Sequence, residues 1–170
     1  TFPGTILVDG DKIEKLNTKT KETISSLVYP SWHPSGKYVA FSVNTTKQAF
    51  HLNDKNRVEV YDEASDVVVY DVEKHEIVTA STIFSKDAFE TFPTFSPDGK
   101  TLYFCTAEAH PIPQEYSEVK YNLCSISFDP ATRTFGTQVD TLYNAKSGGM
   151  SASFPRVSPD GRYLLYTLSG

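Results

Sequence analysis

The side chains of this sequence that could carry out acid–base chemistry are carboxylates in two polar stretches, at 54–63 and 108–115. Glycoside hydrolysis requires two carboxyl groups that flank one bond, the first as acid and the second as base or nucleophile. Four residues could supply such a pair: Asp54, Glu63, Glu108 and Glu115. Acidic residues are also common in solvated loops, so we favour the interpretation that these carboxylates are not catalytic.

Side chains in or next to these stretches could bind a metal ion. His51 and His110 would form a pair if the fold brought the two stretches together. The segment 54–59 carries oxygen ligands at a spacing loosely like that of a calcium loop, but it lacks the glycine and the regular alternation of carboxylates. The sequence contains no Cys-x-x-Cys or His-Glu-x-x-His motif. We therefore predict neither a metal nor a cofactor.

Nucleophilic catalysis has one weak candidate, the segment Gly-Gly-Met-Ser-Ala-Ser at 148–153. A nucleophile elbow requires Gly-x-Ser-x-Gly between a strand and a helix. Here position 153 is serine, and no helical pattern follows it. The segment is better interpreted as a flexible connection, so we predict no catalytic residue.

A repeated octapeptide organises the elements that position these side chains. Pro-Thr-Phe-Ser-Pro-Asp-Gly-Lys at 93–100 has near-copies at 30–37 and 155–162, and their first prolines are 63 and 62 residues apart. Proline presets the backbone of the first turn position, and glycine adopts the left-handed conformation that closes a tight hairpin. The predicted turn residues are Pro34, Gly36, Pro97, Asp98, Gly99, Pro159, Asp160 and Gly161.

The segments after these turns predict strands that are buried on both faces. Residues 38–42, 101–105 and 163–167 are rich in aromatic and aliphatic side chains at both parities. A weaker repeat at 15–23, 69–77 and 127–135 adds a second hairpin to each period. Each period thus predicts a four-stranded antiparallel sheet, and such sheets stack face to face around the axis of a β-propeller.

The repeat resembles that of the TolB-type β-propellers, which are relatives of the WD repeats. The resemblance implies an all-β propeller that is six-bladed when complete, with this chain covering about three blades. It also implies a periplasmic or envelope protein that recognises another protein, such as an envelope lipoprotein or a complex containing one. The first copy departs from the family pattern, since His33 and Ser35 stand where serine and aspartate are usual. We expect this first turn to be less well specified than the others.

The repeat divides the chain into an outer half-blade at 1–29, blades at 30–84 and 91–143, and an inner half-blade at 154–170. Two explanations of this arrangement stay open. The chain is a fragment of a protein about twice as long, or two copies associate to close one ring. We favour the fragment, because exposed strand edges on a lone wedge would promote aggregation.

Long connections are predicted on one side of the blades, at 44–65, 85–90, 106–120 and 144–153. We call this side the loop-bearing face. Long loops on a rigid scaffold usually carry binding function. The predicted partner-binding residues are Phe50, His51, Asp54, Arg57, His110, Glu115 and Tyr116. The favoured function is a non-catalytic protein-binding scaffold, and the alternative is a propeller module of a hydrolase, either prolyl-peptidase-like or glycan-active.

Composition excludes some classes of partner. The net charge of −5 provides no basic surface for nucleic acid, and no apolar run approaches membrane-spanning length. Cys105 and Cys124 are either two buried thiols, which we favour, or a disulfide that would indicate an oxidising compartment.

Overall fold

The computed structural model describes residues 6–15, 26–50 and 58–170. Within these ranges the chain is built almost entirely from strands. They are β1 (Ile6–Asp9), β2 (Lys12–Lys15), β3 (Ser26–Trp32), β4 (Tyr38–Phe50), β5 (Val58–Asp71), β6 (Glu76–Val78), β7 (Ala88–Phe95), β8 (Thr101–Glu108), β9 (Asn122–Asp129), β10 (Thr134–Tyr143), β11 (Ser151–Val157) and β12 (Leu164–Ser169). A 3-10 turn (Tyr116–Glu118) and one short helix, α1 (Ala145–Gly148), complete the described elements.

The strands form antiparallel sheets in chain order. Sheet one has the order β3-β4-β5-β6, and sheet two is the meander of β7, β8, β9 and β10. Two further hairpins, β1-β2 and β11-β12, form two-stranded sheets. The prediction of two hairpins in each period, joined into a four-stranded sheet, is thus confirmed for the first two of the three copies of the repeat.

The repeated turn is held by a hydrogen-bond network of serine and aspartate. In sheet two, Ser96 Oγ donates to Asp98 Oδ1 at 2.6 Å, and Asp98 Oδ1 also accepts the Lys100 N–H at 3.0 Å. Gly99 follows with φ of 72°, which is the left-handed conformation predicted for it. The turn that leads into β12 repeats this geometry, with Asp160 accepting from Ser158 and from the Arg162 N–H.

The first copy of the turn is as well specified as the others, so the contrary expectation was wrong. Here His33 stands at the position of the serine and Ser35 at the position of the aspartate, and the direction of the hydrogen bond between the two side chains is reversed. Ser35 Oγ lies 2.7 Å from His33 Nδ1 and accepts the Lys37 N–H at 3.2 Å. Because Nδ1 also accepts the Ser35 N–H at 3.1 Å, the ring proton lies on Nε2, which donates to the Gly99 carbonyl oxygen of the neighbouring sheet at 3.0 Å. Burial lowers the pKa of His33, which favours this neutral form.

The main core lies between sheets one and two. Side chains of both sheets interdigitate there, among them Tyr38, Val67, Val69, Phe95, Leu102, Phe104, Ile126 and Phe128. A second cluster covers the opposite face of sheet one. Every residue of 38–44 is therefore buried, as the sequence predicted for a strand with two covered faces. The strand that follows the third copy of the turn is not buried on both faces, since Leu165 on β12 is 73% exposed.

The connection predicted at 44–65 is mostly not a loop. Strands β4 and β5 continue to pair from Asn44↔Ser65 to Phe50↔Val58, so their hairpin extends beyond the buried residues 38–44. The predicted binding residues His51, Asp54 and Arg57 lie outside the described residues.

The two cysteines lie on opposite faces of sheet two. Cys124 is registered with Phe104, whereas Cys105 is registered with Leu123. Residues directly opposite each other share a face, so the two thiols point away from each other. Both cysteines are buried and free, and the disulfide alternative is wrong for this fold. Burial raises the pKa of Cys105 to about 12 and also raises that of Cys124.

No helix in the described ranges has the length and apolar character needed to span a membrane.

Candidate functional site

The innermost strand of each copy carries an aromatic residue in a strained conformation. Tyr29, Phe92 and Phe154 have φ values of 54°, 54° and 51°, and each directly precedes the first proline of the repeat. Positive φ is uncommon for bulky residues. The register of each hairpin shifts at the same place, which is the pattern of a β-bulge that redirects a side chain.

These three aromatic rings meet one another. The ring centroids of Tyr29 and Phe92 are 4.7 Å apart, and those of Phe92 and Phe154 are 4.3 Å apart. Tyr29 and Phe154 belong to copies that are not adjacent in the chain, yet their centroids are only 5.9 Å apart. The inner strands of all three copies therefore converge here. We name these three residues the axial aromatic cluster.

The sequence analysis did not predict this cluster, because it defined the repeat as beginning at the proline and so left out the aromatic residue before it. An aromatic residue followed by proline stands at 29–30, 92–93 and 154–155, with the same spacing as the turn motif. That dipeptide was the available signal. It could not have shown that the rings touch, because their contact depends on how the sheets pack.

The connection between β8 and β9 is folded by backbone hydrogen bonds. Ala109 N–H donates to the Asp87 carbonyl oxygen at 3.0 Å, and Glu115 N–H donates to that of Pro111 at 2.9 Å. At its end, Tyr121 N–H donates to Ser151 Oγ at 2.9 Å, and the Tyr121 carbonyl oxygen accepts the Ala152 N–H at the same distance. The connection is thus attached to both neighbouring inner strands.

This connection forms one wall of an aromatic groove of about 340 Å³. Tyr116, Val119 and Tyr121 come from the connection, Phe89 and Phe92 from β7, and the opposite wall is Ser151–Ser153 of β11. We name this the Tyr116 groove. Tyr116 is 54% exposed at its edge. Grooves with aromatic walls and a few polar groups are typical binding sites.

Two other predicted binding residues lie in contact beside this groove. His110 Nδ1 is 3.0 Å from Glu115 Oε2. His110 and Glu115 are therefore in direct contact, and Tyr116 follows Glu115 in the same connection. Phe50 ends β4 in register with Val58, away from that segment in the chain.

A second cavity, of about 360 Å³, opens between sheets one and two on the same side. Ser65 and Asp66 of β5 line it, and apolar side chains form much of its wall: Ala64, Phe84, Ala88, Phe89, Ala109 and Pro111. Lys86 and His110 complete the lining. We name this the acid cavity.

The carboxyl group of Glu90 lies buried beside this cavity. Its Oε1 accepts a hydrogen bond from Ser85 Oγ, a lining residue, at 3.1 Å. Burial and the nearby charge of Asp66 raise the pKa of Glu90 to about 8, against the lowering effect of the Ser85 hydrogen bonds. Glu90 is therefore mostly protonated at neutral pH. Sequence analysis did not single out Asp66 or Glu90, although an acidic residue inside the apolar strand 88–95 was a visible signal.

Within the described ranges, the serine candidate at 148–153 does not form a nucleophile elbow. Ser151 Oγ is engaged as the acceptor of the Tyr121 N–H. Helix α1 precedes that serine, and its C-cap Gly149 has φ of 77°, so the strand–turn–helix order of an elbow is missing. The described residues contain no group of three or more His, Cys, Asp or Glu that could hold a metal.

Comparisons with known proteins bear on the fold. No protein-family model matches the chain, and no curated protein matches it. A protein assigned as TolB from Agrobacterium tumefaciens superposes with a TM-score of 0.53 at 16% sequence identity, over 92% of this chain and 42% of that structure. TolB from Acinetobacter baumannii aligns at 13% identity and a TM-score of 0.39, over 93% of this chain and 40% of that structure.

The first of these likenesses, together with the stacked four-stranded sheets, shows the fold. The chain folds as part of a β-propeller similar to that solved protein, as predicted from the repeat. It spans less than half the length of the two solved proteins.

Proposed function

We propose that this chain is part of a non-catalytic propeller scaffold that binds a protein partner through its loop-bearing face. The resemblance of the repeat to the TolB type supports a periplasmic or envelope location. It also supports a partner such as an envelope lipoprotein or a complex that contains one.

The Tyr116 groove is the observation that carries this proposal. Tyr116 is exposed on a connection that is hydrogen-bonded at both ends, so the side chain is presented without the entropy loss of ordering a mobile loop. Exposed aromatic residues beside an apolar groove are typical anchors of protein interfaces. The adjacent His110–Glu115 pair supplies a polar rim.

The geometry favours binding over catalysis at this face. Ser151, in the groove wall, accepts the Tyr121 N–H and so holds the connection in place, and Glu115 is paired with His110. Asp66 lines the acid cavity, and the buried carboxyl of Glu90 lies beside it and close to Asp66. These groups position elements or one another, and none is arranged around a site for a reacting bond.

Site-specific photo-crosslinking in the full-length protein tests whether the loop-bearing face contacts a protein partner. A photoreactive phenylalanine analogue at Tyr116 is expected to crosslink to one protein partner in the cell envelope. The matched control carries the same analogue at Lys74. This exposed residue lies in the β5–β6 turn, on the side of the blades opposite the loop-bearing face. Equal crosslinking at both positions, or none at Tyr116, would contradict the proposal.

A binding measurement with the crosslinked partner then gives the size of the effect. Tyr116→Ala is expected to weaken binding about 30-fold, since truncation of an anchor costs about 2 kcal/mol. Alanine at Phe50 and at Arg57 tests the two other anchors that the sequence predicts. Unchanged affinity in all three variants would refute the assignment of the face.

A further inference from the structure

The Tyr116 groove carries no charged side chain among the described residues that line it. Its walls are aromatic, aliphatic or small residues, and apart from two tyrosines its polar side chains are Ser151, Ser153 and Ser169. A charged group that entered this groove would lose its hydration without meeting an opposite charge, which costs free energy. The groove therefore favours an uncharged occupant.

The groove continues into the axial aromatic cluster. Phe92 forms part of the groove wall, and its ring centroid lies 4.3 Å from that of Phe154 and 4.7 Å from that of Tyr29. Phe154 and Tyr29 are 46% and 37% exposed. Exposed aromatic surface thus extends beyond the groove itself, over a larger area than one inserted side chain covers. The occupant that fits is an extended segment with several apolar groups along its length.

Two hydroxyl groups on the groove wall are available to such a segment. Ser151 Oγ accepts the Tyr121 N–H, whereas Ser153 Oγ and Ser169 Oγ have no hydrogen-bond partner among the described residues. A serine hydroxyl can donate to a backbone carbonyl oxygen. A polyproline II segment presents such acceptors because it has no internal hydrogen bonds, and its prolines have no N–H that would need a partner.

A sugar is the other class of uncharged ligand that stacks on aromatic rings. Each sugar hydroxyl that enters the groove must replace its water contacts by bonds to the protein, or free energy is lost. No carboxylate or amide side chain is present among the described lining residues to form these bonds. Ser153 and Ser169 could satisfy only a few of them, so the lining favours a peptide over a sugar.

From these features we propose that the Tyr116 groove binds a proline-rich segment of the protein partner in the polyproline II conformation. This inference rests on the proposed function and specifies the segment of the partner that is bound. Aromatic-lined grooves suit such segments, since a polyproline II helix is ordered before it binds and loses little conformational entropy. The connection that carries Tyr116 is also ordered beforehand, because it is hydrogen-bonded at both ends.

The test is a calorimetric titration of the full-length protein with N-acetyl-octaproline amide, a probe about 25 Å long in the polyproline II conformation. We expect saturable binding. The control probe is an octapeptide with two Gly-Leu-Ala-Ser repeats, which is also uncharged and partly apolar but has a flexible backbone. It is expected to bind at least about tenfold more weakly, because it must lose more conformational entropy.

Variants locate the bound probe. Tyr116→Ala is expected to weaken octaproline binding at least about tenfold, and Tyr116→Phe is expected to retain it, because the ring supplies the contact surface. Phe154→Ala is expected to weaken binding about fivefold, because the segment extends over the axial aromatic cluster. Tyr163→Ala is the matched control, since it removes a 64% exposed aromatic ring that does not line the groove, and it should leave the affinity unchanged.

Four results would overturn the inference. They are no saturable binding of octaproline, equal binding of the flexible octapeptide, unchanged octaproline binding in Tyr116→Ala, and loss of binding in Tyr163→Ala. Tighter binding of the disaccharide N,N′-diacetylchitobiose than of octaproline, lost in Tyr116→Ala, would assign the groove to a sugar instead.

The outcome is distinguishable from that of the crosslinking experiment. A Tyr116 crosslink to a protein partner without octaproline binding would leave the proposed function standing and overturn only the proline-rich segment. Absence of the crosslink contradicts the proposed function, whatever the peptide does.

Discussion

Replacement of Glu90 by glutamine should change how the stability of the protein depends on pH. The folded-state pKa of Glu90, about 8, lies above the ordinary value of 4.5 because the carboxyl is buried and close to Asp66. Between these two values the folded protein retains a proton that the unfolded chain has released. Raising the pH through this window therefore favours the unfolded state and lowers the free energy of unfolding.

The magnitude follows from the shift. Each pH unit in the window is worth about 1.4 kcal/mol, and the loss levels off as the pH reaches the folded-state pKa. Between pH 5 and pH 8 the wild-type protein should lose about 3 to 4 kcal/mol through this one group. Such a loss is a large part of the stability of a typical domain. Glu90→Gln cannot release a proton and should not show it.

Urea denaturation of both proteins at pH 5, 6, 7 and 8 measures this effect. The quantity to compare is the difference in unfolding free energy between variant and wild type, because titrating groups that do not interact with Glu90 cancel in it. This difference should rise in favour of the variant by about 3 to 4 kcal/mol across the series. Glu108→Gln, which changes an exposed carboxyl at the end of β8, is the control and should give a nearly constant difference.

A constant offset for Glu90→Gln at all four pH values would refute the reasoning. It would mean that the substitution acts through packing alone, and that the buried carboxyl ionises in the folded protein as readily as in the unfolded chain. A difference that favours wild type more strongly as the pH rises would refute it as well.

Two further predictions concern the sheet-to-sheet contact and the thiols. Gly99→Ala should destabilise the protein by at least about 1 kcal/mol more than Gly36→Ala, as measured by urea denaturation. Both glycines have φ of 72°, but only at Gly99 would an added Cβ collide with His33 Nε2. Equal losses of unfolding free energy in the two variants would show that the contact between His33 and Gly99 does not stabilise the fold. Cys105 and Cys124 should resist a thiol reagent at pH 8 in the folded protein and react fully in denaturant, because both are buried and burial raises the pKa of each thiol. Fast reaction of either thiol without denaturant would contradict their placement in the core.

Local features of this protein were readable from sequence because they depend on a few neighbouring residues. Proline, aspartate and glycine at 97–99 determine the backbone angles and short hydrogen bonds of a turn, whatever the rest of the chain does. Apolar side chains at both parities of 38–42 require two covering layers. Repetition at a nearly constant spacing then indicated stacked sheets.

The length of the β4–β5 hairpin was not readable in this way. Its outer part, from Thr45 to Phe50, lies beyond the buried residues 38–44 and is polar in much of its sequence, so its composition was indistinguishable from that of a loop. Strand pairing with 58–64 decides its conformation. The prediction of a long loop there failed for that reason.

The sequence alone determined the turns, the strand order within each sheet and the propeller class, because each follows from residues close together in the chain. Only the tertiary structure decided that His33 bonds to Gly99 of the next sheet, that Tyr29, Phe92 and Phe154 meet, and that Glu90 is buried beside Asp66. These contacts join residues up to 125 positions apart. They depend on the packing of one sheet against another, which no local pattern of side chains specifies.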